Sequence, residues 1–247
     1  MRQLPRTLSC PITIRREDAQ FAPILVVASH LGSCSYTELA AEILGETEKA
    51  YYSTIRSARR QESYVLGRYA AKVALTSVVS APTLKAVEID RGVFDQPVVR
   101  CDWNERWDVT ISHAANLAVA VAYPAEHPMG VDIEQINPAQ HETILSQLSE
   151  QETGWVNASS TSRIEIATAL WAAKEALSKV LRTGLMSPIQ IYNLIEFTAV
   201  APGIREGLFQ NFGQYKARVW IGSSYVLSIV LPKRSALTSE SDFRPLL

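Results

Sequence analysis

Apolar residues along this chain fall into short runs set between longer mixed stretches. The runs at residues 24–28 and 117–123 are the most apolar, and both are strand-sized. Residues 36–80 carry a helical pattern interrupted near Gly45, and Ser35 with Glu38 three places on offers a capping box at its start. Short strands are predicted at 87–90 and 98–101, around a turn containing Gly92 and Pro97. Further strands are predicted at 109–112, at 117–123 and, after a turn marked by Pro124 and Pro128, at 130–136.

The second half repeats this order. A helical stretch at 140–157 and a polar break at 159–162 precede the strongest helix of the chain, at about 162–182. Strands follow near 191–198, 214–221 and 225–231, with Gly222, Ser223 and Ser224 suited to a hairpin between the last two. The tail from Lys233 is polar and is expected to be loose. No repeat is seen in the letters, only in the order of elements. The pattern predicts an α+β protein of two similar-sized lobes, residues 1–125 and 126–247.

Composition narrows the picture. The 247 residues are 47% hydrophobic and 20% charged, which excludes disorder on a large scale. A net charge of −1 provides no global field for nucleic acid, so an anion-binding surface must be local. Arg56, Arg59, Arg60, Arg68 and Lys72 form such a concentration. The three cysteines, Cys10, Cys34 and Cys101, lack any CxxC spacing and suggest neither a disulfide framework nor a zinc site. Arg2, Arg6, Arg15 and Arg16 near the start are not followed by a signal-peptide core, and no apolar run nears the ~20 residues of a membrane span. A soluble, cytoplasmic monomer is expected.

Four segments could carry chemistry. In Gly130-Val131-Asp132-Ile133-Glu134, strand alternation puts the two carboxylates on one face with Cα atoms ~6.6–7 Å apart, able to share a hard cation such as Mg2+. A solvated acidic face has the same pattern. On the long helix, Lys174 falls inside an apolar stripe and must snorkel or meet an anion. Glu175 lies beside that stripe with Lys179 one turn on, a spacing that also suits a plain ion pair. Ser112 and His113 end a strand, where the histidine could donate to a phosphate or be a loop residue. Arg60, Arg68 and Lys72 could converge on an anion or form a solvated basic face.

In their joint order these segments resemble the 4′-phosphopantetheinyl transferases of the Sfp-type superfamily. The resemblance rests on Ile111-Ser112-His113, Gly130 to Glu134, and Trp171-Ala172-Ala173-Lys174-Glu175-Ala176 followed by Lys179. The stretch from Arg60 to Gly67-Arg68 looks most like the subgroup containing the enterobactin-synthase transferase. The resemblance implies two pseudo-symmetric α+β lobes with coenzyme A in the cleft between them. It implies transfer of the phosphopantetheine arm to a serine of an apo acyl or peptidyl carrier protein, releasing adenosine 3′,5′-bisphosphate. Carried over, Asp132, Glu134 and Glu175 would hold Mg2+. Glu175 would help deprotonate the serine, and Lys179, assisted by Lys174, would contact the reacting phosphate. Arg60, Arg68, Ser112 and His113 would bind the adenosine end, with the 3′-phosphate binding assigned to the N-terminal lobe.

Several positions depart from the family pattern, among them Ala114 and Ala115, which stand where members have bulkier residues. Gln96 stands where members often have lysine before the proline, and Arg91 is expected to supply that charge; Arg182 stands where many have glycine. A non-catalytic coenzyme A or nucleotide-binding protein is the alternative. Residues 137–148, with Ile144, Leu145 and Leu148, either dock the carrier or face the core. Fatty-acid, polyketide and peptide carriers all remain open as partners.

Overall fold

The structure, a computed structural model, describes residues 4–29, 35–100, 103, 106–160, 162–237, 243–244 and 247. Arg2, Cys34, Cys101 and Thr161 lie outside the described residues. Helices and strands are both abundant, as an α+β fold requires. The chain divides into two compact units, one of residues 1–13 and 21–126, the other of residues 14–20 and 127–247.

The chain begins with four strands, β1 (Arg6–Pro11), β2 (Ile14–Arg16), β3 (Ala19–Phe21) and β4 (Ile24–Ser29). The predicted helical region is three helices: α1 (Tyr36–Ile43), α2 (Glu46–Thr54) and α3 (Ala58–Thr76). Ser35 caps α1 through the Glu38 N–H and Ser57 caps α3 through the Arg60 N–H. Strands β5 (Glu88–Arg91) and β6 (Pro97–Arg100) make a small hairpin, and β7 (Trp107–Ala114) and β8 (Leu117–Pro124) a longer one. The first unit's main sheet runs β1-β4-β8-β7, with α3 packed on β4 and β8. Val26, Ala28, Ala118, Ala120 and Ala122 form the face under the helix.

The second unit opens on β9 (Gly130–Gln135) and continues through α4 (His141–Leu145), α5 (Glu150–Ala158) and α6 (Arg163–Val180). Its main sheet adds β10 (Leu194–Ala201), β11 (Ile204–Phe209), β12 (Tyr215–Ile221) and β13 (Tyr225–Pro232), in the order β10-β11-β12-β13-β9. Helix α6 packs on β9, β12 and β13. Strand β10 starts later than predicted, because residues 189–192 form a 3-10 turn. No described helix is long and apolar enough to cross a membrane.

The described part of the tail is not loose. Residues Ala236–Leu237 form β14, which pairs with β2. Phe243 packs edge-on against Trp220 with ring centroids 4.9 Å apart, and the Leu247 carbonyl accepts from the Ser224 and Tyr225 N–H groups. Burial of Ser235, Phe243 and Leu247 outweighs the polar composition around them. The stretch 137–148 also resolves: Ile144 is buried in the second unit's core, and Leu145 and Leu148 pack against it.

A repeat in the letters does exist. Ala70-Ala71-Lys72-Val73-Ala74-Leu75 of α3 and Ala172-Ala173-Lys174-Glu175-Ala176-Leu177 of α6 differ at one position. The lysine does the same work in each unit. Lys72 Nζ lies 2.6 Å from Glu48 Oε2 and 2.7 Å from the Ile43 carbonyl, while Glu48 accepts from the Gly45 N–H at the start of α2. Lys174 Nζ lies 2.7 Å from Glu152 Oε2, and Glu152 accepts from the Ser149 N–H at the start of α5. In both units a buried lysine ties the long helix to the capping glutamate of the helix before it. Burial pulls both lysines below the usual lysine range, opposed by the facing glutamate.

Candidate metal centre

Strand β9 alternates as its sequence predicts, but its polar face turns inward. Val131 and Ile133 fill one side; Asp132 and Glu134 turn toward α6. The approach of that helix depends on Gly130, where a Cβ would lie 2.1 Å from the Ala176 carbonyl oxygen. Only glycine allows the helix backbone so near the strand, and the close packing brings Glu175 onto Asp132 and Glu134. One oxygen from each of the three carboxylates lies within 4.8 Å of the others, the one cluster of this kind among the described residues.

Two side chains steady the group. Lys179 Nζ is 2.7 Å from Asp132 Oδ1, and Trp171 Nε1 donates to Glu134 Oε1 at 3.1 Å. Asp132 is almost fully buried, whereas Lys179 is 24% exposed. Burial, then the Asp132 and Glu175 charges, push Glu134 up to about 8. Burial and Asp132 push Glu175 up to about 7, with Lys179 opposing. One lysine therefore offsets only part of the charge of three crowded acids. The donors are all hard oxygens, without histidine or thiolate, and so fit a hard divalent cation such as Mg2+ rather than zinc or copper.

The first unit holds Arg60, Arg68, Arg91, Ser112 and His113, and among the described residues His113 and Arg91 line two different pockets. His113 lines a pocket of about 430 Å³ with Tyr36, Arg59, Glu62, Ser63 and Asn116. Its imidazole rests where a Gly67 side chain would stand, the missing Cβ falling 2.1 Å from Nε2. Arg59 and Ser63 share one face of α3; Arg60, Tyr64 and Arg68 follow the adjacent face at four-residue spacing. Arg60 is exposed. Arg68 is nearly buried, with its guanidinium 4.8 Å over the Tyr64 ring and Nε 3.4 Å from Glu48. Arg91 stacks 3.8 Å over Tyr51, pairs with Asp95, and lines a second pocket of about 310 Å³ with Glu48, Tyr51 and Tyr64.

Residues 128–230 match the model of the 4′-phosphopantetheinyl transferase superfamily. The match covers less than half of the chain, and it is this segment that is similar to that superfamily. It contains β9, α6 and the whole carboxylate cluster. A holo-(acyl-carrier-protein) synthase from Bacillus anthracis str. Ames, solved in complex with CoA (3′,5′-ADP), is similar over 47% of this chain and 98% of its own, at 19% identity and a TM-score of 0.34. Thermotoga maritima holo-[acyl-carrier-protein] synthase is similar over 50% of this chain and 69% of its own, at 23% identity and a TM-score of 0.32. No curated protein sequence matches.

Two residues expected to bind coenzyme A are held by other contacts. Lys174 is fully buried, and its ammonium meets Glu152, Asn193 Oδ1 at 2.8 Å and the Gln147 carbonyl at 3.1 Å. An ammonium has three protons to donate, and these three partners take them. Its place in the apolar stripe was resolved by a buried anion, not by substrate. Ser112 is buried and alternates away from His113 along β7, and it does not line the His113 pocket. Sequence reasoning missed Trp171 as a carboxylate partner, Gly130 and Gly67 as close-approach positions, and Arg59 as the arginine sharing the His113 pocket. The repeat around Lys72 and Lys174 was the signal that could have separated frame from chemistry.

Proposed function

We propose that the protein transfers the 4′-phosphopantetheine arm of coenzyme A to a serine hydroxyl of an apo acyl or peptidyl carrier protein, with Mg2+ as cofactor. The observation that carries this reading is the gathering of Asp132, Glu134 and Glu175 beside Lys179, within the segment that matches the superfamily. In the reaction, the serine oxygen bonds to the pyrophosphate phosphorus that bears the pantetheine arm. The bond from that phosphorus to the bridging oxygen breaks, and adenosine 3′,5′-bisphosphate departs with that oxygen and the bonding pair.

Asp132, Glu134 and Glu175 would hold the cation, which when bound offsets the pyrophosphate charge and polarises its phosphoryl oxygens. Lys179, partly exposed beside the cluster, meets the negative charge that gathers on those oxygens. Glu175, which a bound cation would keep ionised, accepts the serine proton directly or through water. His113 and Arg59 contact the 3′-phosphate from their shared pocket. Arg60, Arg68 and Arg91 supply positive potential nearby, Arg68 chiefly by holding Tyr64 and Glu48 in place.

The test mixes the purified protein with coenzyme A, Mg2+ and apo carriers from fatty-acid, polyketide and peptide synthesis, then weighs the carriers. One phosphopantetheine is expected on the serine of at least one carrier, and only with Mg2+. Carriers that a reference transferase modifies but this protein leaves untouched would end the reading. Coenzyme A binding without any mass gain would mark a non-catalytic binding protein instead.

A further inference from the structure

Strand β13 is apolar on its helix-facing side except at one position. Val226 and Val230 belong to the core under α6, and Ser228 stands between them on the same face. Ser228 is fully buried, and its hydroxyl has no hydrogen-bond partner among the described residues. A polar group in such a place is unfavourable unless something nearby engages it. The antiparallel register puts Ser228 directly opposite Asp132. Facing side chains at such positions have Cβ atoms ~4.5–5.5 Å apart, within reach of one hydrogen bond or one bridging water.

The first unit provides an internal comparison. Strands β8 and β13 are both eight residues long, both end in proline, and both pair with the strand beside them in the same register. Ala120 is the counterpart of Ser228, and it faces Val26 where Ser228 faces Asp132. Where the carboxylate is absent, the hydroxyl is absent too. The alanine also shows that this frame closes well around a methyl group at that point.

We propose that Ser228 is a positioning residue of the metal centre: its hydroxyl orients the Asp132 carboxylate, directly or through a water carried by the bound cation. The proposal rests on the metal-centre reading above. Groups that orient metal-binding side chains from behind typically change affinity by about 10–100-fold when removed. A single neutral hydroxyl acting on one of three carboxylates belongs at the low end of that range.

The test titrates Mn2+, read from the resonance of the free ion, into the parent protein and into Ser228→Ala and Ser228→Thr. The alanine variant is expected to keep the parent's circular dichroism and melting temperature and to bind Mn2+ about 10-fold more weakly. The threonine variant, which retains the hydroxyl, is expected to stay within about 2-fold of the parent, well short of that loss. Should alanine loosen the fold, Ser228→Val, matched in shape to threonine, provides the same contrast. Unchanged Mn2+ affinity in Ser228→Ala, or equal weakening in Ser228→Thr, would overturn the role of Ser228 and leave the metal centre standing. Absence of Mn2+ binding in the parent would remove the metal centre itself, and Ser228 with it.

Discussion

In the first unit, β4 and β8 present Val26, Ala28 and Ala120 to their long helix, and the helix presents Val73. The second unit has Asp132, Glu134, Ser228 and Glu175 at the corresponding places. The frame around them is shared: the same buried lysine, the same capping glutamate, the same strand pairing. What both units keep serves folding. What only the second unit has works against folding, since three acids crowded under a helix raise the proton affinity of Glu134 and Glu175. A bound cation would make that arrangement favourable.

The largest effect should come from writing the first unit's chemistry into the second. Asp132→Ala is expected to lower turnover by at least about 100–1000-fold in the carrier assay while circular dichroism is unchanged. Global unfolding of that variant would mean that Asp132 belongs to the frame after all. Next come the shared lysines. Lys174→Ala leaves the buried Glu152 without its lysine and should cost about 3–5 kcal/mol in urea unfolding, and Lys72→Ala should cost toward the low end of that range because Arg68 still faces Glu48. Similar losses in the two units would sharpen the comparison. A Lys174→Ala protein of full stability but no activity would break it.

The glycines come third. Gly130→Ala sets a methyl against helix backbone that cannot yield, and should cost about 1–3 kcal/mol and weaken cation binding. Gly67→Ala meets the end of the His113 side chain, which can rotate away. Its stability loss should therefore be smaller, with coenzyme A affinity reporting the displaced histidine.

The last contrast is a pH dependence. The unfolded chain releases the Glu134 and Glu175 protons near the ordinary value of 4.5, whereas the folded protein without metal keeps them to about 8 and about 7. Their contribution to stability is thus full below pH 4.5 and is lost as the pH rises through 7 and 8. Melting temperatures of metal-free protein across this window should fall on that account, and Mg2+ should reverse the fall near neutrality.

Much of this was legible in the sequence, for identifiable reasons. The β9 alternation and the i,i+4 pair of Glu175 and Lys179 are local signals, and the structure places these residues where their periods put them. Strand β11 was missed because Arg205, Glu206 and Gly207 interrupt its apolar pattern, and its pairing with β10 and β12 comes from distant residues. The described part of the tail was misjudged because composition cannot show that Phe243 finds Trp220. Lys174 was drawn to the substrate because a lysine in an apolar stripe needs an anion, and Glu152, twenty-two positions back, gives no periodic sign of being that anion. Nor can spacing reveal which face of α3 meets His113, since that depends on the bare surface of Gly67.

The most direct test is calorimetric titration of Mn2+ into the parent and into a triple variant, Asp132→Val, Glu134→Ala and Glu175→Val, which gives the second unit the residues of the first. One bound ion per parent chain is expected, with none in the triple variant and a variant fold at least as stable as that of the metal-free parent. Equal binding by the two proteins, or no binding by the parent, would contradict the assignment of these three carboxylates as the metal centre.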